Sequence, residues 1–100
     1  MLGVGLAAGD VLESARAARR EGQRIELTPR EFALLEMLMR NEGRPLSKSY
    51  ILERLWEYTF HPQTNLVDVL VCRLRDSIDR EYPNKLIQTV RGIGYAFQRT

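Results

Sequence analysis

A chain of 100 residues can bury one modest hydrophobic core, which indicates a single domain. Its hydrophobic fraction of 44% and charged fraction of 28% are typical of a globular protein, and no stretch approaches the roughly 18 apolar residues of a membrane span. The formal net charge of +2 gives little support for nucleic-acid binding, because an ordinary solvated surface can carry the same excess. A lone cysteine, Cys72, excludes an internal disulfide, so we expect a cytoplasmic protein with no membrane partner.

The N-terminal segment gives conflicting signals. Residues 1–9 are small and mostly apolar but lack the basic start of a signal peptide, so we interpret them as a linker or leftover segment before a domain at residues 10–100. Residues 14–21 are rich in alanine, arginine and glutamate, which favours a helix by propensity. In contrast, residues 21–22 followed by residues 23–27 are typical of a turn and a strand. The pattern alone leaves residues 10–20 open between helix and strand.

A first helix is predicted to begin at Pro29. Thr28 can accept a hydrogen bond from a free backbone N–H of the first turn, and Glu31 can reach back to the Thr28 N–H, which completes a capping box. Proline suits the first helical position, where its missing N–H costs no hydrogen bond. Apolar residues then recur at helical spacing, namely Phe32, Leu35, Leu38 and Met39. We expect this helix to end near residues 41–43.

A second helix is predicted after a short extended run at residues 44–46. Ser47 is a suitable N-cap for it. The buried side of this helix should consist of Ile51, Leu52 and Leu55. The helix should end near residues 56–58, and residues 59–64, which include Pro62, are predicted to form a loop.

The most informative pattern lies in residues 65–80, which are predicted to form a third helix. At about 100° per residue, one face is apolar and consists of Val67, Leu70, Val71, Leu74 and Ile78. The other face consists of Asn65, Val69, Cys72, Arg73, Asp76 and Arg80. After a break at residues 82–84, residues 86–90 and 95–98 are predicted to form a β-hairpin around a turn at residues 91–94.

Two helices, an amphipathic third helix and a hairpin together indicate a winged helix-turn-helix that binds duplex DNA. A helix fits the major groove, and an adjacent hairpin can reach the backbone or the minor groove. On this hypothesis Arg73 reads a guanine edge, Val69 packs on a thymine methyl group, and Arg91 enters the minor groove. The plainer alternatives stay open, because exposed arginines are often only solvated and Trp56 can be a residue at the edge of the core.

The sequence contains no pattern that favours catalysis or metal binding. His61 is the only histidine and has no second metal ligand at a useful spacing, so we interpret it as solvated. Cys72 on the predicted DNA face is interpreted as a small, tolerated side chain, with a redox switch as the alternative. We therefore expect no enzyme activity, no metal and no cofactor.

Three blocks of sequence resemble the C-terminal DNA-binding (effector) domain of OmpR/PhoB-type response regulators. They follow the family's order and spacing, cover residues 24–98, and consist of Leu27–Leu35, Thr64–Val69 with Arg73–Arg75, and Ile87–Tyr95. The resemblance implies an α+β winged helix-turn-helix with an N-terminal antiparallel sheet, three helices and a C-terminal β-hairpin wing at residues 86–98. It therefore implies strands within residues 11–27. Residues 58–65 resemble the heavy-metal-responsive branch of the family.

The resemblance also implies which residues contact DNA. The third helix would be the recognition helix, with Val69 and Arg73 at base-contacting positions, and Arg91 would be the wing arginine. Leu70 and Cys72 match positions that often contact phosphates, but neither side chain can form an ionic contact. The positions that match backbone contacts are Trp56, Arg75, Thr89 and Tyr95.

Several partners are implied by the same resemblance. Relatives bind double-stranded promoter DNA at direct repeats that two copies occupy in tandem, and they carry a receiver domain in the same protein. The loop between the second and third helices would face RNA polymerase through Thr59, Phe60, His61 and Gln63. A winged-helix module that binds only proteins is the alternative function, and the balanced charge leaves it open.

Overall fold

The structure of the protein is a computed structural model, and it describes residues 12–14, 17–56 and 64–99. In chain order the elements are β1 (Leu12–Ser14), β2 (Ala17–Arg20), β3 (Gln23–Glu26), α1 (Pro29–Arg40), β4 (Leu46–Ser47), α2 (Lys48–Trp56), α3 (Asn65–Ile78), β5 (Ile87–Val90) and β6 (Gly94–Phe97). Helices α1, α2 and α3 pack on one another between two antiparallel sheets. The predicted α+β winged-helix architecture is confirmed.

The N-terminal sheet has the order β1-β2-β3, and β2 pairs with β3 through a tight turn at Glu21 and Gly22. Both turn residues have positive φ, at 51° and 82°. Strands are therefore confirmed here, and residues 17–20 form a strand despite their helical propensity. Ala17 and Ala18 are fully buried in β2. The tertiary packing of these small side chains therefore outweighs their helix propensity, which is worth about 0.5 kcal/mol per residue.

Helix α1 begins with the predicted capping box. The Thr28 hydroxyl accepts the Glu31 N–H at 3.2 Å, and the Glu31 carboxylate accepts the Thr28 N–H at 3.0 Å. The helix ends at Arg40, where the Asn41 side chain donates to the Met37 carbonyl. Helix α2 follows Ser47, whose hydroxyl accepts the Tyr50 N–H at 3.1 Å, as expected of its N-cap.

The apolar face predicted for α3 is fully buried, and all the residues predicted on its opposite face are exposed. The helix ends at Ile78, two residues before the predicted end, where the N–H groups of Asp79 and Arg80 both donate to the Arg75 carbonyl and close the last turn.

The wing is a three-stranded sheet of order β4-β6-β5, whereas the sequence predicted only a hairpin. The two-residue strand β4 pairs with β6 through Leu46↔Tyr95 and Ser47↔Gly94. Glycine is required at position 94, because a Cβ atom there would lie 2.0 Å from the Leu46 carbonyl oxygen. Because α2 follows β4 directly, the pairing of β4 with β6 fixes the start of α2 beside the hairpin formed by β5 and β6.

A buried ion pair joins the N-terminal sheet to the end of α3. Arg20 and Asp79 are each 2% exposed, with 2.9 Å between the arginine Nη1 and the carboxylate Oδ1. Arg20 also donates to the carbonyls of Ile78 and Asn84, and Asp79 accepts the backbone N–H groups of the two residues at the start of the wing, Leu86 and Ile87, each at 3.0 Å. The contact therefore fixes the wing relative to α3.

Candidate nucleic-acid interface

The exposed face of α3 presents a short row of side chains to solvent. Val69 is 47% exposed although it is a large hydrophobic residue, and Arg73 lies one helical turn further along. Cys72 and Asp76 are also exposed on this face. A helix of this diameter, about 10–12 Å with side chains, fits the major groove of about 12 Å, so these side chains can reach base edges.

A depression of about 400 Å³ lies on one side of this face. Its lining comes from the start of α1, the end of α2 and the exposed side of α3, and consists of Thr28, Arg30, Glu31, Trp56, Leu66, Val69, Leu70 and Arg73. Trp56 is half-buried and packs on the core, and the guanidinium carbon of Arg30 lies 4.5 Å from the centroid of its ring. Trp56 is thus at the core edge and also beside the predicted base-contacting residues.

The wing contacts the opposite side of α3 through Arg75. Its guanidinium donates to the Ile87 carbonyl, from Nη2 at 3.0 Å, and to the Thr89 hydroxyl at 2.7 Å. The same group lies 5.4 Å from the ring of Tyr95. Two predicted backbone contacts, Arg75 and Thr89, are therefore hydrogen-bonded to each other, which positions the edge strand β5 beside α3.

Tyr95 and Lys48 meet on the carboxylate of Asp68, in the first turns of α3. The Tyr95 hydroxyl donates to Oδ1 at 2.6 Å, and the Lys48 ammonium lies 3.0 Å from the same oxygen. Because the hydroxyl has one proton, Tyr95 can donate to a DNA phosphate only if this hydrogen bond is exchanged. Its predicted backbone contact stays a prediction.

This contact shifts the pKa values of Asp68 and Tyr95. Burial raises the pKa of Asp68, but the hydrogen bond from Tyr95 and the ammonium of Lys48 lower it more, so this pKa lies below its ordinary value. Burial, followed by the hydrogen bond to the Asp68 carboxylate, raises the pKa of Tyr95 to about 12. Asp68 is therefore ionised and Tyr95 neutral at neutral pH, and their hydrogen bond is intact.

Arg91 lies in the turn between β5 and β6 and is exposed, as a minor-groove residue must be. The next residue, Gly92, has a φ of +80°, a conformation that suits glycine. Ile93 in the same turn is 52% exposed. The turn therefore presents one cation and one apolar side chain at the end of the wing.

Not all the predicted site residues are brought together. Leu70 is buried in the core, and its apolar side chain offers no hydrogen-bond donor to a phosphate. The predicted polymerase-facing residues lie outside the described part of the chain, and they are Thr59, Phe60, His61 and Gln63.

Three residues of this surface were not predicted from the sequence as part of it: Arg30, Lys48 and Asp68. Lys48 and Asp68 are 20 residues apart, so no local spacing indicates their contact. Arg30 is separated by 26 residues in sequence from Trp56, so no local spacing indicates that contact either.

Within the described residues, no cluster of three or more potential metal ligands occurs, and no helix has the length and apolar character needed to cross a membrane. The arrangement brings exposed cations and an apolar side chain to one protruding helix and to an adjacent hairpin.

Residues 22–97 match the family model described as "Transcriptional regulatory protein, C terminal". The chain is similar to the transcriptional regulatory protein CusR of Escherichia coli, with 46% identity over 84 residues, and to the transcriptional activator protein IrlR of Burkholderia pseudomallei, with 47% identity over 83 residues. These matches cover 84% and 83% of the chain but only 37% and 36% of the two relatives.

Among solved structures, the DNA-binding domain of Bacillus subtilis CssR superposes with a TM-score of 0.71 at 36% identity. That match covers 87% of this chain and 96% of the CssR domain. The Thermotoga maritima response regulator DrrB, an OmpR/PhoB homologue, superposes with a TM-score of 0.72 at 30% identity, over 83% of this chain and 38% of DrrB.

Proposed function

The chain belongs to the OmpR/PhoB-type family of C-terminal domains of transcriptional regulatory proteins, and from this premise we propose that it binds promoter DNA sequence-specifically. Its relatives are transcriptional regulators and not enzymes. In this proposal α3 lies in the major groove and the wing lies on the adjacent backbone and minor groove.

The observation that carries the proposal is the exposed row on α3. Val69 is exposed and lies outside the buried face of α3, so it does not contribute to the core. In the major groove its side chain could pack against a thymine methyl group. Val69 and Arg73 are proposed to contact bases, and Arg91 to enter the minor groove. The proposed backbone contacts are Trp56, Arg75, Thr89 and Tyr95.

The test is the salt dependence of binding to duplex DNA. Each phosphate that a cation neutralises releases counterions, so log K should fall linearly with log salt, with a slope of about −0.9 per contact. A protein-interaction module of the same fold would show no such slope. Binding to a duplex selected from a random pool should then exceed binding to an unselected duplex by about 10³-fold or more.

The whole protein extends beyond this domain in the relatives, so its wider role is also proposed. We propose a cytoplasmic two-component response regulator with a receiver domain in the same protein, of the heavy-metal-responsive branch that includes CusR and IrlR. Two copies would occupy direct repeats in tandem. On a duplex with one half-site deleted, the stoichiometry should fall from two copies to one, and an unchanged stoichiometry would contradict tandem binding.

RNA polymerase is proposed as the partner of the loop before α3, through Thr59, Phe60, His61 and Gln63. His61→Ala and Gln63→Ala in the full-length protein should change reporter output from an activated promoter. Operator affinity should stay within about twofold, or roughly 0.4 kcal/mol. Unchanged output with unchanged affinity would contradict the polymerase role of these two side chains.

A further inference from the structure

We infer that Arg30, stacked on Trp56, binds a DNA phosphate on one side of α3, an inference that rests on the proposed DNA-binding function. Arg30 is the second residue of α1 and is exposed, and its guanidinium carbon lies 4.5 Å from the centroid of the indole ring. Trp56 is the last residue of α2 and packs on the core, so it gives the guanidinium a fixed platform. Stacking on an aromatic face leaves the N–H donors at the rim of the guanidinium available to an anion.

The position of Arg30 beside α3 indicates that its side chain contacts the DNA backbone and not the bases. Arg30 lines the same depression as Val69 and Arg73. A helix about 10–12 Å across fills a major groove about 12 Å wide, so residues of another element beside that helix meet the sugar–phosphate wall of the groove. Arg30 comes from α1, beside α3, and therefore faces this wall.

The charge around Arg30 favours an anion. Among the residues that the structure describes, no carboxylate forms an ion pair with Arg30 or Arg73. The carboxylate that lines the depression, Glu31, is buried, and it accepts the Thr28 N–H within the capping box. Two exposed guanidinium groups therefore border the depression, and the planar donors of Arg30 match a pair of phosphate oxygens.

The experiment measures the salt dependence of binding to a random-sequence duplex for the wild type, Arg30→Gln and Arg30→Lys. Loss of one phosphate contact should make the slope of log K against log salt shallower by about 0.9 in Arg30→Gln. The affinity deficit of this variant should then be about 3.5-fold larger at about 50 mM salt than at about 200 mM. Arg30→Lys should keep the wild-type slope, because it keeps the charge.

Arg40→Gln is the matched control, since Arg40 is the last residue of the same helix and is also exposed. It lies about 15 Å further along the axis than Arg30, beyond the Debye length of about 14 Å at 50 mM and about 7 Å at 200 mM salt, so the slope of Arg40→Gln should equal that of the wild type. Denaturant midpoints verify that each variant is folded.

The outcomes separate the inference from the proposed function. An unchanged slope in Arg30→Gln, with normal salt-dependent binding by the wild type, would overturn the phosphate contact alone. A loss seen only on a selected duplex would make Arg30 a base contact and would also overturn it. A wild type without salt-dependent binding would overturn the proposed function and the inference together.

Discussion

Replacing Asp79 by asparagine removes one charge from the buried pair that joins the N-terminal sheet, α3 and the wing, and it keeps the size of the side chain. Asp79 accepts three hydrogen bonds, from the Arg20 guanidinium and from the N–H groups of Leu86 and Ile87. The asparagine oxygen can keep the bonds made by Oδ1, but its NH₂ group then faces the Ile87 N–H. The Arg20 charge also stays buried without a counter-charge, which typically costs about 3–5 kcal/mol.

Against a total stability of about 5–15 kcal/mol, a loss of this size is large. For a domain of about 100 residues, a loss of about 3 kcal/mol lowers Tm by roughly 12–24 °C. The assay is urea or thermal unfolding followed by the fluorescence of Trp56, the only tryptophan.

The matched control is Glu36→Gln, which breaks the exposed i,i+4 pair between Glu36 and Arg40. This change should cost about 0.5 kcal/mol or less. Arg20→Met should restore part of the loss when combined with Asp79→Asn, because it removes the orphaned charge. Equal small effects of Asp79→Asn and Glu36→Gln, or strictly additive effects of Arg20→Met and Asp79→Asn, would refute the reasoning.

Three further predictions concern the first helix, the wing and alkaline pH. Thr28→Ala should lower the free energy of unfolding by about 0.5–2 kcal/mol through loss of the cap, and an unchanged denaturant midpoint would contradict this. Arg91→Ala should abolish any preference for A·T-rich flanking sequence, because a narrow A·T-rich minor groove concentrates negative potential. The measurement compares the affinities of the wild type and Arg91→Ala for duplexes with A·T and with G·C flanks. An equal loss of affinity by the two proteins on exchange of the flanks would exclude the minor-groove role. The folded pKa of Tyr95, about 12, exceeds its ordinary value of 10.0, so its contribution to stability is present below about pH 10 and is lost as pH rises towards 12. Between pH 10 and 12 the unfolding free energy of Tyr95→Phe should therefore fall less than that of the wild type. Parallel profiles of unfolding free energy against pH for the two proteins would contradict the raised pKa of Tyr95.

Features that depend on neighbouring residues were predictable from the sequence. The capping box at Thr28 and Glu31 spans one helical turn, and the buried face of α3 follows from a period of about 3.6 residues, so each pattern is complete within a short window. The same periodicity placed Val69 and Arg73 on the exposed face. The exposed face of α3 was therefore predictable without knowledge of the elements around it.

Features that depend on the topology were not predictable in this way. Arg20 and Asp79 are 59 residues apart, and Tyr95 is 27 residues from Asp68, so no spacing indicates either contact. Strand β2 has two alanines in place of the alternating large apolar residues of a typical strand, and only the family resemblance indicated strands before Gln23. Strand β4 has two residues, too few for any periodicity.

The most direct test of the account is the effect of Arg73→Ala on base preference, because the central claim is that the exposed face of α3 reads bases in the major groove. Duplexes selected by the wild type from a random pool would be compared with unselected duplexes at one salt concentration. We predict a loss of about 1–3 kcal/mol, or about 5- to 150-fold, on the selected duplex, with preference lost at a single base pair. Equal losses on selected and unselected duplexes would make Arg73 a phosphate contact, and they would contradict base reading at this position of α3.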